Sequence, residues 1–244
     1  MDDLNQVLGV FSKNTKEKTG AGTTLQKTAH KTYYYVTRTG VDQYHVQPLN
    51  ERFIPSGLVT TLTKRQFLTT FSPEIDYYER KTLPALKSLN TKILKGEDLF
   101  AKGELDEAEQ SFARALLIDP VNPKANLGMG SVLCSKQNYT KLSKIVNKLL
   151  NNDSVFVEAQ RQEFNLFAIS LRKQSLFEES INFYNKAIEL NQKDENLHFN
   201  IARSYFDAGQ SDEALAHIDK ALAIQPNLEW AHKFKTYILK KTKK

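Results

Sequence analysis

The sequence predicts a mainly α-helical protein in which pairs of helices stack into an array behind a small β-containing module. Three series of mostly small residues support this prediction, and each recurs at spacings of 34, 38 and 34 residues. They are Gly96, Gly130, Ala168 and Ala202, then Ala108, Leu142, Ser180 and Ala214, then Ala115, Leu149, Ala187 and Ala221. A unit of this length holds two helices and a turn, which cannot bury their apolar face alone, so neighbouring units must stack.

The first 31 residues are predicted to be a short amphipathic helix followed by a flexible linker. Leu4, Val7, Leu8 and Phe11 fall on one face of a helix, which is typical of a docking peptide. The following segment, residues 13–31, consists largely of Lys, Thr and Gly and has few apolar residues, which favours a flexible coil. We expect the helix to dock either on a partner or on the protein's own array.

Residues 32–88 are predicted to form a small β-meander plus helix module, for which we recognise no family. The expected elements are strands at Tyr33–Thr37, Tyr44–Gln47 and Leu58–Leu62, a short helix capped by Thr63 and Gln66, and a helix starting at Ser72-Pro73-Glu74. Because proline cannot donate a backbone hydrogen bond inside a helix, we expect the last helix to kink or break before Pro84.

The rest of the chain, residues 89–244, is predicted to be helical throughout. We expect helix pairs at about 96–102 and 105–117, 123–136 and 139–150, 158–173 and 177–191, and 195–208 and 211–223, then a cap from about 228. The ends follow from capping residues. Gly209 can take the left-handed conformation after one helix, and Ser211 can accept the first amide hydrogen bonds of the next.

The fourth unit shows the repeat most clearly. Its fixed slots carry His198, Ile201, Ala202, Tyr205, Gly209, Ala214, Ile218, Ala221 and Pro226. This pattern resembles the tetratricopeptide repeat. The resemblance divides the array into repeats at about 89–122, 123–156, 161–194 and 195–228 and a capping helix at about 228–243.

The other three units depart from the pattern at particular slots. Lys92 and Lys95 stand in large apolar slots of the first unit, and Gln192 replaces the closing proline of the third. In the second unit Leu142 and Leu149 occupy slots that usually hold small residues. Small residues let helices approach closely, so we expect wider helix packing in the second unit.

The resemblance implies that the first helix of each repeat lines a concave groove that binds a protein or peptide. The residues at the positions of this sequence that match the groove positions of the repeat pattern are Asn165, Ile169, Arg172, Lys173, Phe199, Arg203 and Phe206. Their cationic and aromatic character suits a peptide with acidic side chains or a C-terminal carboxylate. The clamp of chaperone-binding members is not reproduced, because Ile93 and Glu97 occupy its Lys and Asn slots.

The distribution of charge argues against nucleic acid as the partner. Of the net charge of +6, residues 1–88 contribute +4, residues 89–232 contribute −4 and the last twelve residues contribute +6. The array itself is therefore acidic, and no recognition motif accompanies the basic flanks. No histidine, cysteine or carboxylate cluster has metal-ligand spacing, and Cys134 has no neighbouring histidine, so we expect no metal, cofactor or catalytic residue.

These observations favour a non-enzymatic protein-interaction module or scaffold. Two alternatives stay open: a bacterial secretion or assembly chaperone that masks a client, and a regulatory subunit of an enzyme complex. No apolar run approaches the roughly 20 residues of a membrane span, and the N-terminus lacks the features of a secretory signal. We therefore expect a cytoplasmic protein with no membrane association.

Overall fold

The computed structural model describes residues 6–19 and 26–242 of the 244-residue chain. Backbone contacts divide the chain into two compact units. One comprises residues 1–92 with 117–120, and the other comprises residues 93–116 with 121–244. Each unit is described by itself.

The first unit is built on an antiparallel sheet with the strand order β4-β3-β2-β1-β5. Its strands are β1 (Gln6–Thr19), β2 (Gln26–Arg38), β3 (Tyr44–Pro48), β4 (Thr60–Leu62) and β5 (Ser72–Pro73). The predicted hairpin is confirmed, because Val36 of β2 lies opposite Val46 of β3. The predicted third strand is confirmed in a shorter form as β4.

The predicted N-terminal docking helix is wrong, because its described part, including Val7, Leu8 and Phe11, lies in strand β1. Leu4 lies outside the described residues. The cause is a β-bulge between Val7 and Gly9, where Gly9 has a φ of 100°. The extra residue, Leu8, reaches the same core cluster as Phe11, which is a spacing of three rather than two. The bulge therefore gives this strand the three-residue spacing of apolar residues that is typical of a helix.

The predicted flexible linker is also wrong for its described part. Strands β1 and β2 continue to pair from Lys13 opposite Thr32 to Thr19 opposite Gln26. Residues 20–25 lie outside the described residues. Strand pairing is made by backbone groups, and threonine favours strands, so this polar ribbon forms without apolar side chains.

Helix α1 (Lys64–Thr70) has the predicted capping box, with Gln66 and Thr63 exchanging hydrogen bonds. The helix packs on the sheet through Phe67, whose ring stacks on Tyr44 at 4.7 Å and contacts Phe11 edge-on at 4.9 Å. Val36 and Val46 complete this buried cluster.

The predicted helix start at Ser72-Pro73-Glu74 is wrong. Ser72 and Pro73 pair with β1, and the Glu74 amide donates to the Val10 carbonyl at 2.8 Å, so this backbone is held extended. Helix α2 (Ile75–Tyr77) then begins, followed by a π-helical turn (Tyr78–Thr82) and helix α3 (Leu83–Ala101). The expected break before Pro84 does not occur. Instead the wider π turn immediately precedes the proline, a local adjustment that lets the helix continue.

The helical array has the predicted pairs. Its elements are α4 (Leu105–Ile118), α5 (Pro123–Ser135), α6 (Tyr139–Leu150), α7 (Arg161–Lys173), α8 (Phe177–Leu190), α9 (Glu195–Asp207), α10 (Ser211–Ile224) and α11 (Glu229–Thr242). The predicted start of α7 at 158 differs, because 3₁₀ turns at Asp153–Val155 and Glu158–Gln160 precede that helix. The first helix of the first pair is longer than predicted, because α3 extends back to Leu83.

Aromatic rings fill the space that small residues leave between helices. A Cβ at Gly96 would lie 2.8 Å from the Phe112 ring, and one at Gly130 would lie 2.7 Å from the Phe167 ring. Gly128 approaches the Phe112 ring even more closely. In the second pair, by contrast, Leu142 and Leu149 are buried at the slots that usually hold small residues.

A pair of histidines, His198 buried and His217 half-buried, joins α9 to α10. The Nδ1 atoms of His198 and His217 are 3.0 Å apart, so one ring donates a hydrogen bond and the other accepts it. Tyr205 stacks on His217 at 5.4 Å. Burial lowers the pKa of both histidines, the nearby Lys220 charge adds to this, and the pKa of His217 falls to about 4.

We expect Gly128→Ala to destabilise the array by about 1–3 kcal/mol, because its methyl group would overlap with the Phe112 ring. Urea unfolding followed by circular dichroism measures the change. The double variant Gly128→Ala with Phe112→Leu should recover part of the loss, since the smaller side chain leaves room for the methyl group. An unchanged or higher stability of Gly128→Ala alone would contradict the close packing.

The histidine pair predicts how stability depends on pH. Because both pKa values are lower in the folded chain than in the unfolded chain, the unfolded chain binds protons first as pH falls. The free energy of unfolding should therefore be highest above about pH 6.5 and fall by about 1–3 kcal/mol toward pH 4. The variant His198→Leu with His217→Leu should show a shallower fall in urea unfolding. An equally steep fall in this double variant would contradict the assignment of the pH dependence to the histidine pair.

Candidate functional site

The predicted groove residues lie on α7 and α9, the first helices of the third and fourth pairs. A network of amide groups joins the two helices near their middles. The Oδ1 atom of Asn165 accepts from the Tyr184 hydroxyl at 2.8 Å and from Asn200 Nδ2 at 2.9 Å. Tyr184 is buried, and burial raises the pKa of its phenol, so it stays a neutral donor. Asn165 is therefore held in a fixed orientation by two neighbours.

Arg172 is not a freely solvated charge. Its guanidinium pairs with the carboxylate of Asp207 on α9, and its side chain is only 12% exposed. The two residues are 35 positions apart in the sequence. The pair therefore joins the C-terminal ends of α7 and α9 and neutralises one of the two predicted groove arginines.

Arg203 has a different environment. It is half-buried, and its guanidinium lies 5.9 Å from the centre of the Phe199 ring. Burial lowers the pKa of Arg203 and the charge of Arg172 lowers it further, while Asp207 acts in the opposite direction. Among the described residues no carboxylate forms an ion pair with Arg203. Arg203 is therefore a guanidinium that is partly removed from water and has no direct ion pair among the described residues, although the Asp207 carboxylate is close enough to influence its charge.

The two aromatic residues predicted for the groove, Phe199 and Phe206, pack against the last helix of the array. Phe199 contacts Trp230 of α11 edge-on at 4.1 Å, and Phe206 contacts Phe234 of the same helix edge-on at 5.5 Å. Both phenylalanines are therefore half-buried against α11. Their presence in the groove pattern reflects packing on the last helix as well as any contact with a partner.

The remaining predicted groove positions are less uniform. Ile169 is half-buried, and Lys173 is exposed. An ion pair joins α5 to α7, in which Lys124 Nζ lies 2.9 Å from Glu163 Oε1. This contact raises the pKa of Lys124, chiefly through its hydrogen bond to Glu163. The cationic surface of the groove is thus reduced to Arg203 and the exposed Lys173.

Two members of the network, Asn200 and Tyr184, were not among the predicted site residues. Asn200 follows the predicted groove residue Phe199 directly in the sequence. Tyr184 lies on α8, the second helix of its pair. The 35-residue separation of Asn165 and Asn200 was visible in the sequence. Their direct contact depends on how α7 and α9 are rotated, which the spacing alone does not define.

Cys134 and the potential metal ligands of the described residues do not form a chemical site. Cys134 is buried, and burial raises the pKa of its thiol to about 11, so it is a protonated packing residue. No group of three or more potential metal ligands occurs within residues 6–19 and 26–242. Within the same residues no helix is long and apolar enough to cross a membrane.

Comparison with known proteins agrees with the repeat pattern. Models of the tetratricopeptide repeat match residues 165–194 and 195–228. Tetratricopeptide repeat protein 16 of Homo sapiens is 28% identical over 142 residues, which are 55% of this chain and 16% of that protein. The anaphase-promoting complex subunit CDC16 of Saccharomyces cerevisiae is 24% identical over 165 residues, 66% of this chain and 19% of that protein.

Among solved structures, pilF of Pseudomonas aeruginosa superposes with a TM-score of 0.49 and 18% identity. The superposition covers 66% of this chain and 71% of that one. The chain thus spans under a fifth of the curated relatives that it matches, at 16% and 19% of their lengths. The repeat models and the observed helix pairs show that this chain carries tetratricopeptide repeats, in a helical array typical of protein–protein interaction scaffolds.

Proposed function

We propose that the array binds a protein partner through a segment that places a carboxylate against Arg203. The observation that carries this proposal is the half-buried Arg203 guanidinium, which has no carboxylate partner among the described residues. A carboxylate from a partner would supply the missing counter-charge by a charge-assisted hydrogen bond. The proposed role is that of a non-enzymatic scaffold.

The neighbouring amides support binding of an extended segment. Asn165 uses its oxygen for Tyr184 and Asn200, and no contact of its own amide nitrogen is seen in the described residues. Asn200 uses its nitrogen, and its side-chain oxygen likewise has no partner there. One donor and one acceptor are thus available beside Arg203. Such a pair can bind the backbone of a peptide, while Arg203 selects an acidic side chain or a C-terminal carboxylate.

The Arg172–Asp207 pair limits the anion-binding capacity of the groove. Asp207 forms a direct ion pair with Arg172 and competes there with any incoming carboxylate, whereas it acts on Arg203 without a direct ion pair. We therefore assign the primary anion contact to Arg203 and a secondary contact to Arg172. This division makes separate predictions for the two arginines.

The variant Arg203→Ala tests the proposed primary anion contact. Peptide arrays with acidic or amide side chains, each with free or amidated C-termini, would identify peptides that bind the full chain. Fluorescence polarisation would then give their dissociation constants. We expect Arg203→Ala to weaken binding of the acidic peptides by about 10- to 100-fold, because one charge-assisted hydrogen bond is lost.

Arg114→Ala is the matched control, because Arg114 is exposed on α4 and should leave affinity unchanged. The thermal midpoint of Arg203→Ala should stay close to that of the wild type, since an arginine without an ion-pair partner is removed. Selected acidic peptides that bind wild type and Arg203→Ala equally would refute the proposed contact.

The second prediction concerns Asp207→Asn. Removing the competing carboxylate should free Arg172, so acidic peptides should bind several-fold more tightly. Amide-substituted versions of the same peptides should show no gain, and this comparison separates charge from shape. Weaker binding of acidic peptides to Asp207→Asn would mean that Asp207 contributes to the site instead of competing with the partner.

A further inference from the structure

The α1 side of the sheet in the first unit contains a cavity of about 340 Å³. It is lined by Lys13, Tyr34, Val46, Thr60, Leu62, Gln66, Thr70 and Phe71. Its volume falls within the range of small-molecule sites, near the lower end. None of the groove residues described above belongs to it, so this cavity is independent of the proposed partner site.

One part of the cavity wall is apolar, and the rest of the lining is polar. Val46 is buried at 2% exposure, and Tyr34 and Leu62 are half-buried against the same core. Phe71, the residue that ends α1, closes one side with its ring edge-on to Tyr34 at 5.2 Å. A ligand in this space can place an apolar group against this part of the wall.

Lys13 is the charged member of the lining, and no acidic residue accompanies it. Lys13 is half-buried, and no carboxylate among the described residues pairs with it. Glu74 contacts Ser12, the residue before Lys13 in the sequence, and is already engaged, because it accepts from the Ser12 hydroxyl at 2.8 Å and pairs with Lys31. Within the described part of the chain, the Lys13 ammonium therefore has no carboxylate partner, and an anion from outside the chain can pair with it.

The neutral polar groups of the lining also favour an anion. The Gln66 side-chain oxygen is occupied by the Thr63 amide at 2.9 Å, and this leaves the Gln66 amide nitrogen as a donor. The hydroxyls of Thr60 and Thr70 have no partner among the described residues and can donate as well. A site that combines an ammonium, donors and an apolar wall matches an anionic group attached to an apolar body.

We propose that this cavity binds a small monocarboxylic acid, with its carboxylate on Lys13 and its aliphatic or aromatic body against Tyr34, Leu62 and Phe71. The volume has room for roughly ten water-sized groups, which corresponds to an acid of about eight carbons. The binding site is a property of the sheet unit and does not depend on the function proposed for the array.

The test uses octanoate and its neutral counterpart octanamide as probes, titrated into the ¹⁵N-labelled full chain and followed by amide chemical shifts. Octanoate should shift the signals of the lining residues, and it should bind at least about tenfold more tightly than octanamide because it gains a charge-assisted hydrogen bond. Equal affinity of the two probes, or shifts confined to residues outside the lining, would overturn the proposal.

Three variants complete the experiment. Lys13→Gln should lower octanoate affinity to the level of octanamide and leave octanamide binding unchanged. Lys64→Gln, whose side chain is exposed and outside the lining, should bind both probes like the wild type. Thr70→Trp should block the cavity and abolish binding of both probes while the spectrum stays dispersed. Octanoate affinity that is unchanged in Lys13→Gln, or in Thr70→Trp, would also overturn the proposal.

Discussion

The array depends on the close approach of helices at positions where a side chain is absent or is a single methyl group. Gly96 and Gly128 accommodate the Phe112 ring, and Gly130 accommodates the Phe167 ring. Close packing makes such contacts strict, because a ring fills the space left by a missing side chain and no other rotation of the helices restores the fit. These contacts hold α3 and α5 against α4, and α5 against α7.

The same closeness explains why the polar contacts between neighbouring repeats are short and specific. The Ser180 hydroxyl reaches the Ala168 carbonyl at 3.0 Å and the Ser204 hydroxyl at 2.9 Å, all in buried surroundings. The hydrogen bond between Asn165 and Asn200 and the ion pair between Arg172 and Asp207 both connect α7 to α9. Most of the polar groups in the groove therefore satisfy one another. Arg203 is informative because, among the described residues, it has no direct ion pair, whereas Arg172 has one.

In the sheet unit, one bulged residue gives strand β1 a side-chain pattern that resembles a helix in the sequence. The bulge beside Gly9 brings Leu8 and Phe11 to one core cluster, although a regular strand would place them on opposite faces. The rest of the hairpin is formed by backbone hydrogen bonds in a segment whose composition is typical of a linker. Composition and periodicity report side-chain burial, so they failed where backbone pairing holds the structure.

The sequence by itself determined the helical array, from the 34-residue spacing to helix ends that mostly agree within three residues. Helix capping, turn residues and small-residue spacing are local, and local signals are readable without a structure. It also predicted Arg172 and Arg203 as groove positions. Only the tertiary structure decided that Asp207 neutralises Arg172, that Phe199 and Phe206 pack on α11, and that β1 is a strand. Each of these outcomes is a contact between distant residues, and its geometry depends on how whole elements are rotated and paired.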